Sequence, residues 1–278
     1  MKKSILLMAI MAMTSLAVAL PVEMKEKILK NGVTAHECTL TTGNVNYRLN
    51  FHSTVKDDRE YIKGIGLMGR TSSSNHFAKR GWWWHGLDGF LKLKVWGKSI
   101  FKMPVTYKSD ENGIEFIFSD AGKEVKIFFK AQDNDDRLFM SINFSTAPQK
   151  SLMELICYPG NFLRKFPEKR DRYANTAKRS IQWTAKDSRV KLDKDEYWIY
   201  YEDRKFDTSK STYFSTCALL YNPNEVKSVN LIVSSYAIKT EVLMSPDKKS
   251  YNFILWEFPG RKNAKCLETM KSLDINFN

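Results

Sequence analysis

Ile114-Glu115-Phe116-Ile117-Phe118-Ser119-Asp120-Ala121-Gly122-Lys123-Glu124-Val125-Lys126-Ile127-Phe128-Phe129 is the stretch that decides the fold. Ile114, Phe116 and Phe118 recur at every second position, and so do Val125, Ile127 and Phe129 beyond the turn formers Ser119–Gly122. Successive side chains of an extended chain point to opposite faces, so this period marks a half-buried strand with one core face and one wet face. The short polar connection makes the pair a hairpin.

The same alternation runs outward in both directions. Val45, Tyr47, Leu49 and Phe51 alternate with Asn44, Asn46, Arg48 and Asn50; Leu91, Leu93 and Val95 alternate with Lys92 and Lys94. Asp133-Asn134-Asp135-Asp136 leads into Leu138, Met140, Ile142 and Phe144. Leu152–Tyr158 reads as a more fully buried strand, stopped by Pro159-Gly160. Further strands are expected over 180–184, 197–202, 212–221, 228–234, 237–243 and 250–257. Helices are expected only at the ends, over Glu23–Lys30 (stopped by Asn31-Gly32) and over Asn263–Leu273, where Cys266, Leu267, Met270 and Leu273 share a side. Roughly a dozen strands on short polar turns predict an all-β fold, a large antiparallel β-sandwich with short terminal helices. No repeat and no Pro/Ser/Gly-rich linker divides the chain. Residues 20–278 are read as a single β-sandwich domain, with Asn161–Lys178 a loop inside it.

Met1–Ala19 has the pattern of a secretory signal peptide: Lys2 and Lys3, an apolar run from Ile5 to Met13, then Ala17-Val18-Ala19. The run is too short to span a bilayer, and no later stretch is long enough, so no membrane span is expected. The expected location is secreted or periplasmic. The chain carries a formal net charge of +13, and losing the two signal-peptide lysines leaves it strongly basic. For an exported basic protein the partners that fit are an anionic polysaccharide or cell-surface glycan; nucleic acid is not expected. The four cysteines, Cys38, Cys157, Cys217 and Cys266, form no C-x-x-C pair, and no metal or cofactor is expected. In an oxidising compartment they allow two disulfides in three pairings, with buried free thiols as the alternative.

Two stretches gather the residues suited to a site. The first is Asn75–Gly89, with Lys79, Arg80, Trp82-Trp83-Trp84 and the histidines His76 and His85. Alternation sends at least one of the three indoles to each face of a strand. An indole at a groove can stack on the C–H face of a sugar while the polar neighbours bind its hydroxyls or acidic groups. The second runs from Arg164 to Lys191, where ten cations meet three acids and Phe162, Phe166, Tyr173 and Trp183 lie among or beside them. Arg164, Arg170, Arg172 and Arg179 are the expected anion contacts, because a guanidinium grips carboxylate or sulfate through two parallel N–H bonds. The other reading of the segment is a solvated loop whose charge serves solubility.

If the chain is an enzyme, His85, His76, Tyr173 and Arg172 are the candidates, an arginine neutralising a uronate carboxylate while histidine or tyrosine moves the proton. Asp133–Asp136 lacks the glycine and the distal glutamate of an EF-hand loop and reads as a hairpin turn. Serine-hydrolase elbows, H-E-x-x-H helices and P-loops are absent.

The strand series from Val45 to Trp256, the strand end Leu155-Ile156-Cys157-Tyr158-Pro159-Gly160 and Trp256-Glu257-Phe258-Pro259-Gly260 resemble the galactose-mutarotase-like β-supersandwich domains of carbohydrate-active proteins. The resemblance implies a carbohydrate partner; it carries over no catalytic residue, because no histidine–glutamate pair here matches that of the mutarotases. Three functions follow: an exported protein binding a sulfated or uronate-containing polysaccharide, a polysaccharide lyase or glycoside hydrolase of the same fold, and a structural envelope-associated protein without a specific ligand.

Overall fold

The computed structural model describes residues 22–42, 44–71, 89–111, 113–159, 171–184, 188–205, 216–234, 236–258 and 261–273. These form nineteen strands in three antiparallel sheets and one α-helix. The all-β sandwich class read from the alternation is therefore the observed one.

The four-stranded sheet runs β1 (Glu23–Ile28), β2 (Val33–Thr41), β3 (Val45–Lys56), β4 (Arg59–Thr71). The six-stranded sheet runs β14 (Ser188–Lys191), β17 (Val226–Val233), β18 (Ile238–Met244), β11 (Ser151–Cys157), β5 (Leu91–Val95), β6 (Lys98–Ser99). The nine-stranded sheet runs β13 (Ser180–Gln182), β12 (Arg172–Asn175), β15 (Trp198–Asp203), β16 (Cys217–Tyr221), β19 (Ser250–Glu257), β10 (Asp135–Phe144), β9 (Lys123–Gln132), β8 (Gly113–Asp120), β7 (Val105–Asp110).

One hydrophobic cluster draws on all three sheets: Leu49, Phe51 and Ile65 from the first, Leu93 and Met153 from the second, Phe116, Phe129 and Leu138 from the third. The alternation predicted which residues enter it. Phe116, Phe118 and Phe129 are fully buried, each contributing about 2 kcal/mol. Two-residue hairpin turns with both residues at positive φ join β3 to β4 at Asp57-Asp58 and β8 to β9 at Ala121-Gly122. Their backbone twist matches that of the strands they connect.

α1 (Asn263–Lys271), the expected closing helix, lies on the outer face of the nine-stranded sheet. Its Cys266 and Met270 are buried against Trp198, Tyr200, Leu220, Trp256 and Phe258. No helix among the described residues is long and apolar enough to cross a membrane.

Two expectations are corrected. The helix over Glu23–Lys30 is instead the strand β1, paired with β2 from Glu23↔Thr39 to Ile28↔Thr34. Asn31 and Gly32 both sit at φ 69°, so the Asn-Gly pair closes a hairpin, with Leu29 N–H donating to Val33 O at 2.7 Å, and does not cap a helix. Sheet pairing overrides the helix propensity of Glu, Met and Lys. The second correction lies in the basic loop, where Arg172–Asn175 is the strand β12, inserted between β13 and β15.

All four cysteines are buried free thiols. Burial pushes Cys38 up to about 12 and Cys266 up to about 11, so neither is an available nucleophile near neutral pH.

Candidate functional site

Of the residues singled out in the sequence, His76, Lys79, Arg80, Trp82, Trp83, Trp84, His85, Arg164 and Arg170 lie outside the described residues. The residues flanking both stretches are neighbours, however. Ile156 N–H donates to Phe90 O at 2.9 Å, so the chain leaving the tryptophan stretch pairs with β11 just before β11 ends at Cys157.

The remaining predicted residues belong to the scaffold. Arg172 is 1% exposed; its guanidinium meets Asp203 at 3.7 Å and donates to the Tyr236 carbonyl. A cation so enclosed cannot reach a polysaccharide, and nothing in the polar run around it marked the distant Asp203 as its partner. Tyr173 is half-buried, with the Arg204 guanidinium carbon 3.6 Å from its ring centre. Burial and the Asp171 carboxylate raise its hydroxyl above the ordinary phenol range, the wrong direction for a base. Trp183 is half-buried against the main core.

Arg179 is committed to Glu196, donating from Nε at 3.0 Å and also from Nη2. Thr176 Oγ1 and the Asp193 N–H complete the set around this buried carboxylate, at 2.5 and 2.8 Å. Lys178 pairs with Asp193 and Asp195, and Arg189 with Glu241. Much of the downstream half of the basic segment is thus neutralised within the fold.

The Glu196 knot makes a prediction. Burial opposes ionisation of Glu196, but Arg179, Thr176 and the Asp193 N–H outweigh it and hold the carboxyl below its usual range. A depressed folded value adds stability that is present above the unfolded value and is lost as pH falls through the folded one. Glu196→Gln is expected to cost about 2 kcal/mol at pH 7. Urea midpoints should show the gap closing towards pH 3; a gap independent of pH contradicts the assignment.

The residues best arranged for a ligand lie elsewhere, on the outer face of the nine-stranded sheet. Beside α1, the strands β9, β10 and β19 leave a cleft of about 480 Å³, within the range of small-ligand pockets. It is lined by Phe128, Lys130, Gln132, Arg137, Phe139, Met140, Ser141, Asn252, Phe253 and Ile254. The register explains the lining. Lys130, Phe139 and Ile254 are direct cross-strand neighbours in one row, and Phe128, Ser141 and Asn252 form the next. Residues 127, 129, 138, 140, 251 and 253 fill the core, so these alternate positions must face outward. Phe128 and Phe139 are half-buried, which leaves ring area for contact.

The charges of the cleft are unequal. Arg137 is clamped by Asp135, with Nε donating to Oδ1 at 2.7 Å and Nη2 to Oδ2 at 2.6 Å. Its guanidinium carbon stands 5.5 Å from the Phe139 ring centre. Glu115, across from Phe128, is paired with Lys108 at 3.3 Å. Among the described residues no carboxylate pairs with Lys130. The cleft therefore combines two aromatic rings, three neutral polar side chains and one uncompensated ammonium. Chemically it can stack a ring with C–H faces, bind hydroxyls and attract a negative charge. Among the described residues no cluster of three or more His, Cys, Asp or Glu side chains could hold a metal ion.

Sequence reading missed this cleft, because Phe128 adjoins two core residues and Phe139 lies between two others. The available signal was that both aromatics fall on the wet phase of their strands.

No protein-family model and no curated protein matches the chain. Among solved structures, an α-N-acetylgalactosaminidase of Bifidobacterium bifidum in complex with GalNAc is similar over 83% of this chain, with a TM-score of 0.51 and 8% identity. The match spans only 38% of that enzyme's length. A TPR-domain-containing protein of Parabacteroides distasonis matches 94% of this chain and 58% of its own, at TM-score 0.49 and 9% identity. An aldose 1-epimerase candidate from Escherichia coli K12 matches 85% of this chain and 100% of its own, at TM-score 0.45 and 7% identity. At these identities the likeness is one of fold. The large β-sandwich read from the strand series is the likeness found at that level, and no specific family is shown.

Proposed function

We propose that the protein is an exported, carbohydrate-interacting β-sandwich that binds an acidic polysaccharide. The observation that carries the reading is the cleft on β9, β10 and β19, where Phe128 and Phe139 flank the unpaired Lys130. Aromatic rings beside amide and hydroxyl groups suit a sugar ring, and one ammonium without a protein carboxylate suits a uronate or sulfate. The fold shared with part of an α-N-acetylgalactosaminidase that was solved with GalNAc agrees with a glycan partner. The net charge of +13 favours an anionic one.

On this reading Trp82–Trp84, Lys79 and Arg80, together with Arg164 and Arg170, add contacts along a polymer longer than the cleft. Arg172 and Arg179 serve the scaffold. Export rests on the signal-like pattern of Met1–Ala19.

Retention on immobilised uronate and sulfated polymers tests the proposal. The wild type should be retained, with retention falling as salt rises. Phe128→Ala/Phe139→Ala should weaken binding at least about fivefold, the loss of stacking by two rings being worth about 1–3 kcal/mol. Lys130→Ala should flatten the salt dependence. Full retention by the double variant, with loss only in Arg164→Ala/Arg170→Ala, would move the site to the basic segment. Equal retention of every variant on all anionic polymers would leave only a charged surface without a specific ligand.

A further inference from the structure

We infer that the free edge of β1 is an interface for a second copy of this chain, which pairs with it antiparallel about a two-fold axis and joins the two four-stranded sheets into one. β1 is the outermost strand of its sheet, and among the described residues no strand pairs with its other edge. Leu29 N–H donates to Val33 O at 2.7 Å. Antiparallel pairing alternates hydrogen-bonded and non-hydrogen-bonded positions, and the register runs unbroken from Glu23↔Thr39 to Ile28↔Thr34. The odd-numbered residues of β1 therefore bond to β2, and the N–H and C=O groups of Met24, Glu26 and Ile28 point to the free edge. An open edge of this kind is a template for another strand. Ile28 stands on it 81% exposed.

The side chains decide the occupant. Glu26 lies opposite the buried His36, so the even-numbered residues of β1 share the core face of the sheet, and Glu23, Lys25 and Lys27 share the outer face. A two-fold axis normal to the sheet keeps the faces aligned and sets outer residues opposite outer ones. With the two Lys25 side chains opposite each other at the axis, Glu23 faces Lys27 twice and Val22 faces Ile28 twice. The Glu23–Lys27 pairs fall at non-hydrogen-bonded positions, where cross-strand side chains stand closest. Val22 packs against the main core, so the partner's Ile28 gains an apolar neighbour there. The Lys25 side chains repel, but each is paired with its own Glu23 at 2.7 Å. Glu26 is held by His36, with 3.1 Å to Nδ1, and is not needed across the interface. Slipping the pairing by two residues one way sets Glu26 against Glu26 and Lys25 against Lys27; slipping it the other way carries Ile28 past Val22.

The inference is independent of the glycan reading. The contact is one strand per copy, so a weak, reversible dimer is expected, with a Kd on the order of 0.1 mM. Sedimentation equilibrium of the full chain from about 10 µM to about 1 mM reads it directly. Lys27→Glu sets Glu23 against a carboxylate twice and should raise Kd at least about fivefold. Glu23→Lys/Lys27→Glu restores both pairs with their signs exchanged and should return Kd to within about twofold of the wild type. Ile28→Pro removes an N–H that β2 does not use, and should abolish the dimer while the melting temperature stays within about 3 °C of the wild type. A chain that is still monomeric at about 1 mM, a dimer indifferent to Lys27→Glu, no recovery in the double variant, or a dimer that survives Ile28→Pro overturns the inference.

Discussion

Gly89→Ala should bring the chain close to unfolding at 37 °C. Gly89 sits at φ +67°, where an L side chain is strained, and a Cβ there would stand 2.4 Å from both the nitrogen and the carbonyl oxygen of Ile65. Those are backbone atoms of β4, which no rotamer change can move aside. The position is also a seam. The next residue, Phe90, donates its N–H to Ile65 O at 2.8 Å and accepts from Ile156 N at 2.9 Å, tying the four-stranded sheet to the six-stranded one. Strain and overlap together should cost about 3 kcal/mol or more, a large part of a total of about 5–15 kcal/mol. Gly97→Ala is the control. It has φ +77° but meets no atom within 4 Å, so only the conformational cost of about 1 kcal/mol applies. Denaturant midpoints of the two variants compare the terms; equal losses would mean that the approach to Ile65 is unimportant.

Arg172→Ala should cost about 3–5 kcal/mol, because it leaves Asp203 buried without its cation. Asp203 is fixed otherwise by the N–H groups of Asp171 and Lys205, at 3.0 and 3.2 Å. In the wild type, burial raises the Asp203 carboxyl above its usual range, against those N–H bonds and the Arg172 charge. A carboxyl raised in the folded state is destabilising when ionised, and that penalty is relieved as pH falls through its folded value. Without Arg172 the value moves higher still, so the deficit of the variant should be greatest at neutral pH and should shrink on acidification. Arg172→Met/Asp203→Leu should recover much of the loss, since an apolar pair replaces an ionic one at similar volume. A deficit independent of pH, with no recovery in the double variant, would show that Arg172 matters through something other than this pair. Glycan retention by the folded double variant should equal that of the wild type, which separates the scaffold role from an anion-binding one.

The fold was legible wherever one face of a strand is apolar. Val45, Tyr47, Leu49 and Phe51, and the hairpin of Ile114–Phe129, show by spacing alone which side is core. β1 was not legible, since its row Glu23-Met24-Lys25-Glu26-Lys27-Ile28 has no alternating apolar face, and Ile28 is 81% exposed. That strand exists because β2 offers an edge. β12 was hidden because its burial depends on Arg172, a charge neutralised by a residue thirty-one positions away. Periodicity cannot detect that kind of pairing. The site divides in the same way. Arg179 looks free in the sequence but is occupied by Glu196, whereas Lys130 looks like an ordinary wet-face lysine and becomes distinctive only beside Phe139 on the next strand. Cross-strand neighbours carry the cleft, and they become visible only once the register is known.

Hydroxyl-radical footprinting of the full chain, with and without a saturating uronate or sulfated oligosaccharide, tests the central claim most directly. The account predicts protection of Phe128 and Phe139 on adding the glycan, lost when Lys130 is replaced by glutamate. Protection confined to residues 75–89 and 161–170, with Phe128 and Phe139 labelled equally in both states, would contradict it.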